Sequence, residues 1–383
     1  MTERLYYADS HMKEFTARVT SCENDGKRWC ITLDRTAFFP EGGGQAADSG
    51  YIGDVRVFDV HEKDGKILHY VEIQIPVNEE YHCRIDWEQR FRRMQNHSGE
   101  HIVSGIVNKR FGYDNVGFHL AEDYVTLDFN GELTAEELAS VELAANKAVW
   151  ENVTITTEFP EPEVLKTMEY RSKLDLTEDV RIVTVEGYDK CACCAPHVSR
   201  TGEIGIIKLI DCMKHRGGIR VTMLCGIDAY KDYAQKQESV AEISALLSAK
   251  RSDIAVAVKK FYDELQNEKY QSAELKKTIL KEAGEKLDTI EGNYCFFYTS
   301  AFDINSLRTL VNEAMKRCSG IAAAFSGSDE AGYNYVMGSA HVDMRAKSKE
   351  INSAILGRGG GSPEMIQGSA KAARADIEKY FLN

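Results

Sequence analysis

His97 and His101 stand four residues apart in the run QRFRRMQNHSGEHIVSGI, so on a helix their rings project from one side about one turn apart. That geometry can seat one metal ion, although two histidines so spaced also occur on ordinary helix surfaces. The pattern is not the His-Glu-x-x-His of zinc proteases, because Ser98 stands where the catalytic glutamate would be. In EGYDKCACCAPHVSRTGEIG, Cys193 and His197 are again four apart, after a strand-like run, and offer a thiolate and an imidazole of the kind zinc prefers. The two pairs make a four-ligand set for Zn2+, divided between a helix and a distant loop. Such a division suits a site in a cleft. Cys191 and Cys194 are alternative thiols beside Cys193.

Two glycine-rich stretches could bring backbone close to a ligand. In DRTAFFPEGGGQAADSGYIG, Gly42, Gly43 and Gly44 are followed by the polar Gln45 and Asp48, and preceded by Thr36. In AILGRGGGSPEMIQGSA, Arg358 precedes Gly359, Gly360 and Gly361. Lys plus Arg total 47 against 60 Asp plus Glu, a net charge of -13, so a polyanion must be met locally rather than by the whole surface. Three basic clusters could do so through phosphate contacts: Arg90, Arg92 and Arg93; Lys208, Lys214, His215, Arg216 and Arg220; and Arg345, Lys347, Lys349, Arg358, Lys371 and Arg374.

These residues need elements to hold them. A chain of 383 residues with 43% hydrophobic content is long enough for two or three cored units. Residues 1–87 read as a small β-barrel: Thr16–Cys22 and Arg28–Leu33 flank Asn24-Asp25-Gly26, and Val55–Glu62 and Lys66–Val71 flank Asp64-Gly65. Residues 88–228 read as an α+β unit. It opens on a helix with Phe91, Met94, Ile102 and Ile106 along one face and continues with a helix capped by Thr134 and Glu137. Residues 229–290 lack proline and keep a three-four apolar spacing, predicting a helical hairpin spacer that could join two chains as a homodimer. Residues 291–383 alternate strand and helix patterns, an α/β domain. The whole is an α+β multidomain chain. With a charged N-terminus and no apolar run near the roughly 20 residues that cross a bilayer, no membrane partner is expected. A cytoplasmic setting with reduced thiols follows.

The two ligand pairs resemble the His-x-x-x-His and Cys-x-x-x-His motifs of the editing domain shared by alanyl-tRNA synthetases and the free-standing alanyl-tRNA editing proteins of the AlaX family. The stretch around Gly42–Gly44 is similar to that family's glycine-rich loop, and the stretch around Gly359–Gly361 to the signature of the domain called DHHA1. Together these resemblances span nearly the whole chain, in the order of the family's long form. The chain departs from the family's Cys-Gly-Gly-Thr-His with Cys193-Cys194-Ala195-Pro196-His197, losing a hydroxyl and an amide donor at Pro196.

The resemblance implies a zinc-dependent hydrolase removing a wrong amino acid, serine and perhaps glycine, from tRNA(Ala). It implies zinc on His97, His101, Cys193 and His197, catalytic roles for Thr36 and Gln45, and a substrate pocket formed by Gly42, Gly43, Gly44, Asp48, Arg93 and Arg220. The tRNA body would be held at Arg358, Gly359, Gly360 and Gly361. A tRNA-binding protein with a structural zinc is the competing expectation. A DHHA1-containing phosphoesterase is another, but its Asp-His-His motif is absent from the sequence.

Overall fold

The computed structural model describes residues 2–24, 26–121, 124–172, 180–299 and 302–382. The chain divides into two compact units, Met1–Val240 and Ala241–Asn383.

The first unit begins with alternating apolar residues that build six strands: Glu14–Asn24, Trp29–Leu33, Gly50–Ile52, Val55–Lys63, Lys66–Val71 and Glu80–Ile85. They close into a ring, with Glu14–Asn24 paired to both Trp29–Leu33 and Glu80–Ile85. Phe15, Val19, Ile31, Leu33, Ile52, Val57, Val60, Ile67 and Val71 point inward, the period-two pattern expected of strands with one buried face. The tight turn at Asp64-Gly65 has positive φ at both residues, 52° and 72°, the geometry that lets a two-residue loop follow the strand twist. Of the other anticipated turn, Asp25 lies outside the described residues.

The Trp87–Phe111 helix follows and ends at Gly112, which takes the left-handed conformation with φ 71°. One apolar face was the sequence expectation. Instead the helix is buried all round from Met94 to Val107, because a four-stranded sheet, a three-stranded sheet and the Ala135–Glu151 helix share one core with it. Its polar residues must therefore find partners inside: Gln95 donates to the Glu203 carbonyl at 2.9 Å, and Asn96 accepts from the Cys225 amide at 3.0 Å. Gly105 allows the close approach, since a Cβ there would lie 2.5 Å from the Tyr188 carbonyl oxygen and 2.8 Å from Asp189 Cβ. The Ala135–Glu151 helix starts as expected, with Thr134 Oγ1 accepting from the Glu137 amide and Glu137 accepting from the Thr134 amide.

In the second unit the strands run in the order Tyr294–Tyr298, Ala322–Ser328, Gly332–Gly338, Met365–Ala370, Arg358–Gly361. The first pair is parallel and the others antiparallel. Successive residues feed opposite faces: Phe325, Tyr335 and Met337 pack with Ile351 and Ile377, while Ala324 and Val336 pack with Leu307, Leu310 and Val311. Arg358–Gly361 is an exposed edge strand rather than a loop. Strand and helix do alternate here, with an additional helix, Met344–Ala354, that periodicity did not single out. The spacer elements are helices, Gly226–Leu247 and Ile254–Glu285, separated by a short turn of 3-10 helix. Along the longer one only Leu280 and Gly284 are buried. No helix among the described residues is long and apolar enough to cross a membrane.

Candidate metal centre and its cavity

The helix carries His97 and His101 to the same place that the loop after Asp189–Ala192 carries Cys193 and His197. One ligand atom from each of the four lies within 4.8 Å of the others. Cys193 Sγ is 3.5 Å from His97 Nε2 and 3.4 Å from His197 Nε2. A tetrahedral zinc with bonds of about 2.0–2.3 Å separates its donors by roughly 3.3–3.8 Å, so both spacings fit such an ion.

Each imidazole is held from behind through Nδ1. Gln45 Oε1 lies 2.9 Å from His97 Nδ1, Asp189 Oδ2 lies 3.0 Å from His101 Nδ1, and Ser98 Oγ lies 3.0 Å from His197 Nδ1. The carboxamide and carboxylate oxygens accept hydrogen bonds, which puts the proton on Nδ1 of His97 and His101 and leaves Nε2 with its lone pair toward the centre. Asp189 is itself gripped by Arg171 through two bonds of 2.7 and 2.8 Å.

Electrostatics reinforce the arrangement. Burial disfavours the Cys193 thiolate, yet His97 and His197 beside it hold its pKa well below the usual thiol value. Burial likewise opposes charge on His101, but hydrogen bonds to Asp189 and Cys193 hold its pKa well above that of free histidine. His197 goes the other way, pushed down to about 3 by burial. Cys191 and Cys194 are both raised to about 11 by burial, so Cys193 is the thiol poised to ligate. The donor chemistry, spacing and outer hydrogen bonds all fit zinc.

A cavity of about 470 Å³ opens beside these residues, lined by His97, His101, Cys193, Glu100, Phe118 and Arg181 among others. Gly43 and Gly44 form another part of its wall. Gly44 has φ 81°, and a Cβ there would lie 2.8 Å from the Phe118 carbonyl, so this position excludes other residues both by conformation and by space. A Cβ on Gly42 or Gly43 would first meet Cys194 Sγ, at 3.8 or 3.5 Å.

The remaining anticipated site residues are placed as follows. Gln45 is buried against His97. Thr36 is fully buried, hydrogen-bonded to His69 Nε2 at 2.8 Å and accepting from the Phe38 amide, and is not among the cavity-lining residues. Asp48 pairs with Arg90 and accepts from the Phe39 amide at 2.7 Å, bracing the glycine loop from behind. Arg90, which stood in the first basic cluster, is 0% exposed and spent on that pair. Arg93 donates to the Ala47 carbonyl at 2.6 Å and lines a separate cleft of about 1000 Å³. Arg220 makes two bonds to Asp128, at 2.7 and 2.8 Å, and lines neither cavity. In the second unit, Arg358, Gly359, Gly360 and Gly361 are exposed on the edge strand, and Arg345 Nε donates to the Gly361 carbonyl at 3.1 Å.

Several residues around the centre have surroundings that the sequence did not define. Glu100, beside the ligand pair in sequence and open there to two readings, a general base or a solvated residue of an exposed helix face, is 3% exposed and lines the cavity. Its Oε1 accepts from Ser104 Oγ at 2.7 Å and Asn115 Nδ2 at 2.6 Å, while Oε2 lies 3.8 Å from His101 Nε2. The helix's burial on all sides is what an amphipathic reading could not anticipate. Asp189, Arg171 and Ser98 were also missed, as outer partners selected only by tertiary approach.

Three histidines and a cysteine able to hold a metal ion, at the wall of a glycine-lined cavity and following a closed β-sheet, mark a candidate metal centre in a mixed α and β chain. Residues 180–227, which include Cys193 and His197, match the family described as the threonyl and alanyl tRNA synthetase second additional domain. Residues 3–89 match the class II (A) tRNA synthetases. The alanyl-tRNA editing protein AlaX-L of Pyrococcus horikoshii is 28% identical over 98% of this chain and 96% of its own length. The alanyl-tRNA editing protein Aarsd1 of Danio rerio is 26% identical over 97% and 95%. The alanine--tRNA ligase of Ignicoccus hospitalis is 34% identical over 76% of this chain, which spans only 34% of that larger protein. Over nearly its whole length the chain is thus similar to alanyl-tRNA editing proteins. Among solved structures, the C-Ala domain of Aquifex aeolicus alanyl-tRNA synthetase aligns with 25% of the chain at 20% identity and a TM-score of 0.20, too low to assign the second unit.

Proposed function

We propose that this chain is an aminoacyl-tRNA deacylase that edits mischarged tRNA(Ala), acting on the serine ester first and the glycine ester second. The observation that carries this reading is the convergence of His97, His101, Cys193 and His197 within 4.8 Å of one another beside a cavity of about 470 Å³. Similarity to the named relatives and to the second additional domain supports the tRNA substrate.

The need for such an activity is physical. A small apolar synthetase pocket built for alanine rejects an added hydroxyl or a missing methyl only weakly, by about 100-fold or less, so a second hydrolytic sieve supplies the remainder. The cavity is within the range of roughly 300–1,000 Å³ usual for small-ligand sites. It accepts the aminoacylated terminal ribose while the body of the tRNA stays outside.

In the proposed site His97, His101, Cys193 and His197 hold zinc. When bound, zinc would organise the site and would supply a Lewis acid to an ester oxygen that joined or replaced one of these four ligands. Gly43 and Gly44 let the aminoacyl group lie against backbone. Glu100, with Oε1 fixed by Ser104 and Asn115, is positioned to take a proton from the attacking water and return it to the departing ribose hydroxyl. Gln45 and Asp189 keep His97 and His101 in the ligating tautomer. The second unit, with Arg345, Arg358 and their neighbours exposed near Gly359–Gly361, is proposed as a DHHA1-like support for the tRNA body.

The test is release of serine from seryl-tRNA(Ala) by purified protein. Turnover supports the reading, whereas an ester that decays at its spontaneous rate, or is protected, indicates a binding protein.

A further inference from the structure

Among the described residues of the first unit, several largely or wholly buried arginines face a carboxylate. Arg90 pairs with Asp48, Arg93 with the same Asp48 at 3.8 Å, Arg92 with Asp228 at 2.7 Å, and Arg171 with Asp189 at 2.7 Å. Arg181 differs. It is 5% exposed and lines the cavity beside the metal centre, yet no carboxylate among the described residues forms an ion pair with it. Its Nη1 donates to the carbonyls of Cys193 at 3.0 Å and Ala195 at 2.9 Å, which fix the guanidinium plane without neutralising it. Nε is buried with no partner. Nη2 makes no hydrogen bond to a described residue and is not among the enclosed polar atoms, which leaves it free to meet a ligand in the cavity that Arg181 lines. The Tyr7 ring lies 5.2 Å from the guanidinium carbon and supplies a π face but no charge.

Among the described residues the main anionic partner of this buried guanidinium is the Cys193 thiolate, which a metal ion would engage, and a ligand anion would then relieve the cost of burying the cation. With both Nη1 hydrogens on carbonyls and Nε enclosed, Nη2 is left to donate to a phosphate oxygen. Resting on the deacylase reading above, we infer that Arg181 is a substrate-binding residue that takes the phosphodiester on the 5′ side of the terminal adenosine of tRNA. That phosphate is one ribose away from the ester. Arg181 is bonded to the backbone of the ligand Cys193, so an ester at the metal centre and a phosphate at Arg181 belong to one nucleotide held at both ends. The same contact would set the direction in which the acceptor strand enters the cavity. A guanidinium so placed could instead meet the negative charge that develops on the ester oxygen during hydrolysis, and the two roles are separable because only one needs the phosphate.

Two measurements decide it. Calorimetric binding to the zinc-loaded wild-type chain compares the dinucleotide cytidylyl-(3′,5′)-adenosine, which has the phosphodiester, with adenosine, which lacks it. The dinucleotide is expected to bind about 10-fold or more tightly, and Arg181→Met to abolish that advantage while bound zinc stays stoichiometric. In hydrolysis, Arg181→Met is expected to raise KM about 10- to 100-fold more for seryl-tRNA(Ala) than for 3′-O-seryl-adenosine, with partial recovery in Arg181→Lys. Equal binding of the two compounds by the wild type overturns the assignment, even if the variant fails to fold. So does an equal loss on both esters confined to kcat, which would place Arg181 at the ester oxygen. A wild-type chain that hydrolyses neither ester but keeps its preference for the dinucleotide would remove the deacylase reading and leave the phosphate contact standing.

Discussion

Asp189 Oδ2 sits 3.0 Å from His101 Nδ1 while its two oxygens receive Arg171 at 2.7 and 2.8 Å, so a single carboxylate joins the ligand helix to the strand that leads into Cys193. The pair is buried, and the strand presents Asp189 only because Gly105 lets the helix lie against it. The two halves of the candidate metal centre, nearly a hundred positions apart in sequence, are thus registered by one outer contact.

Replacing Asp189 by Asn keeps the shape but removes the charge that fixes the His101 tautomer. Zinc affinity is expected to fall about 10- to 100-fold, as outer partners of ligating histidines usually show. Competition with a chromophoric chelator measures it, and an unchanged affinity would assign Asp189 a purely structural role.

Gly105→Ala should fold poorly. The added Cβ would sit 2.5 Å from the Tyr188 carbonyl oxygen, a backbone atom that cannot swing aside. Loss of about 1–3 kcal/mol is expected, outweighing the gain of up to about 1 kcal/mol that alanine brings to a helix interior. Urea denaturation of the variant checks it, and a more stable protein would mean that the helix and strand move apart freely.

His69 sets a dependence on acid that does not involve the metal. Its Nδ1–H donates to the Ile31 carbonyl at 3.1 Å and its Nε2 accepts from Thr36, and burial pushes its pKa down to about 4. The unfolded chain therefore takes up a proton near pH 6.5 that the folded chain refuses until about pH 4. This group's contribution to stability declines as pH falls through that window, by about 3 kcal/mol in all. His69→Leu should show a shallower decline between pH 6.5 and 4.5 than wild type in parallel denaturant titrations, and identical slopes would contradict it.

Glu100→Gln preserves the size and the position between Ser104 and Asn115 but cannot accept a proton. A fall in kcat of about 10²- to 10⁴-fold with little change in KM is expected. Full activity in this variant would return Glu100 to the role of a packing residue.

The hairpin at Asp64-Gly65, the cap at Thr134 and the paired ligands were legible in the sequence because each rests on neighbours three or four positions apart or on one residue's backbone preference. The outer partners were not. Nothing local to Gln45 says that its amide oxygen faces His97, and nothing local to Glu100 says that it is buried, because the helix has polar residues on every side. Those polar residues are satisfied by separate strands and by one another, an arrangement that exists only once the chain has closed around the helix. Arg90, Arg93 and Arg220 have partners that clustered charge did not reveal: the fold pairs Arg90 with Asp48 and Arg220 with Asp128 and turns Arg93 to the Ala47 carbonyl.

The most direct test of a metal-centred editing site is deacylation of seryl-, glycyl- and alanyl-tRNA(Ala) by one preparation, assayed as isolated, after chelation, and after zinc is restored. The account predicts that the seryl ester is cleaved fastest, that chelation abolishes cleavage and that zinc restores it, with His97→Ala/Cys193→Ala inert and free of bound metal. Undiminished cleavage by the chelated protein, or stoichiometric zinc in the double variant, would contradict it.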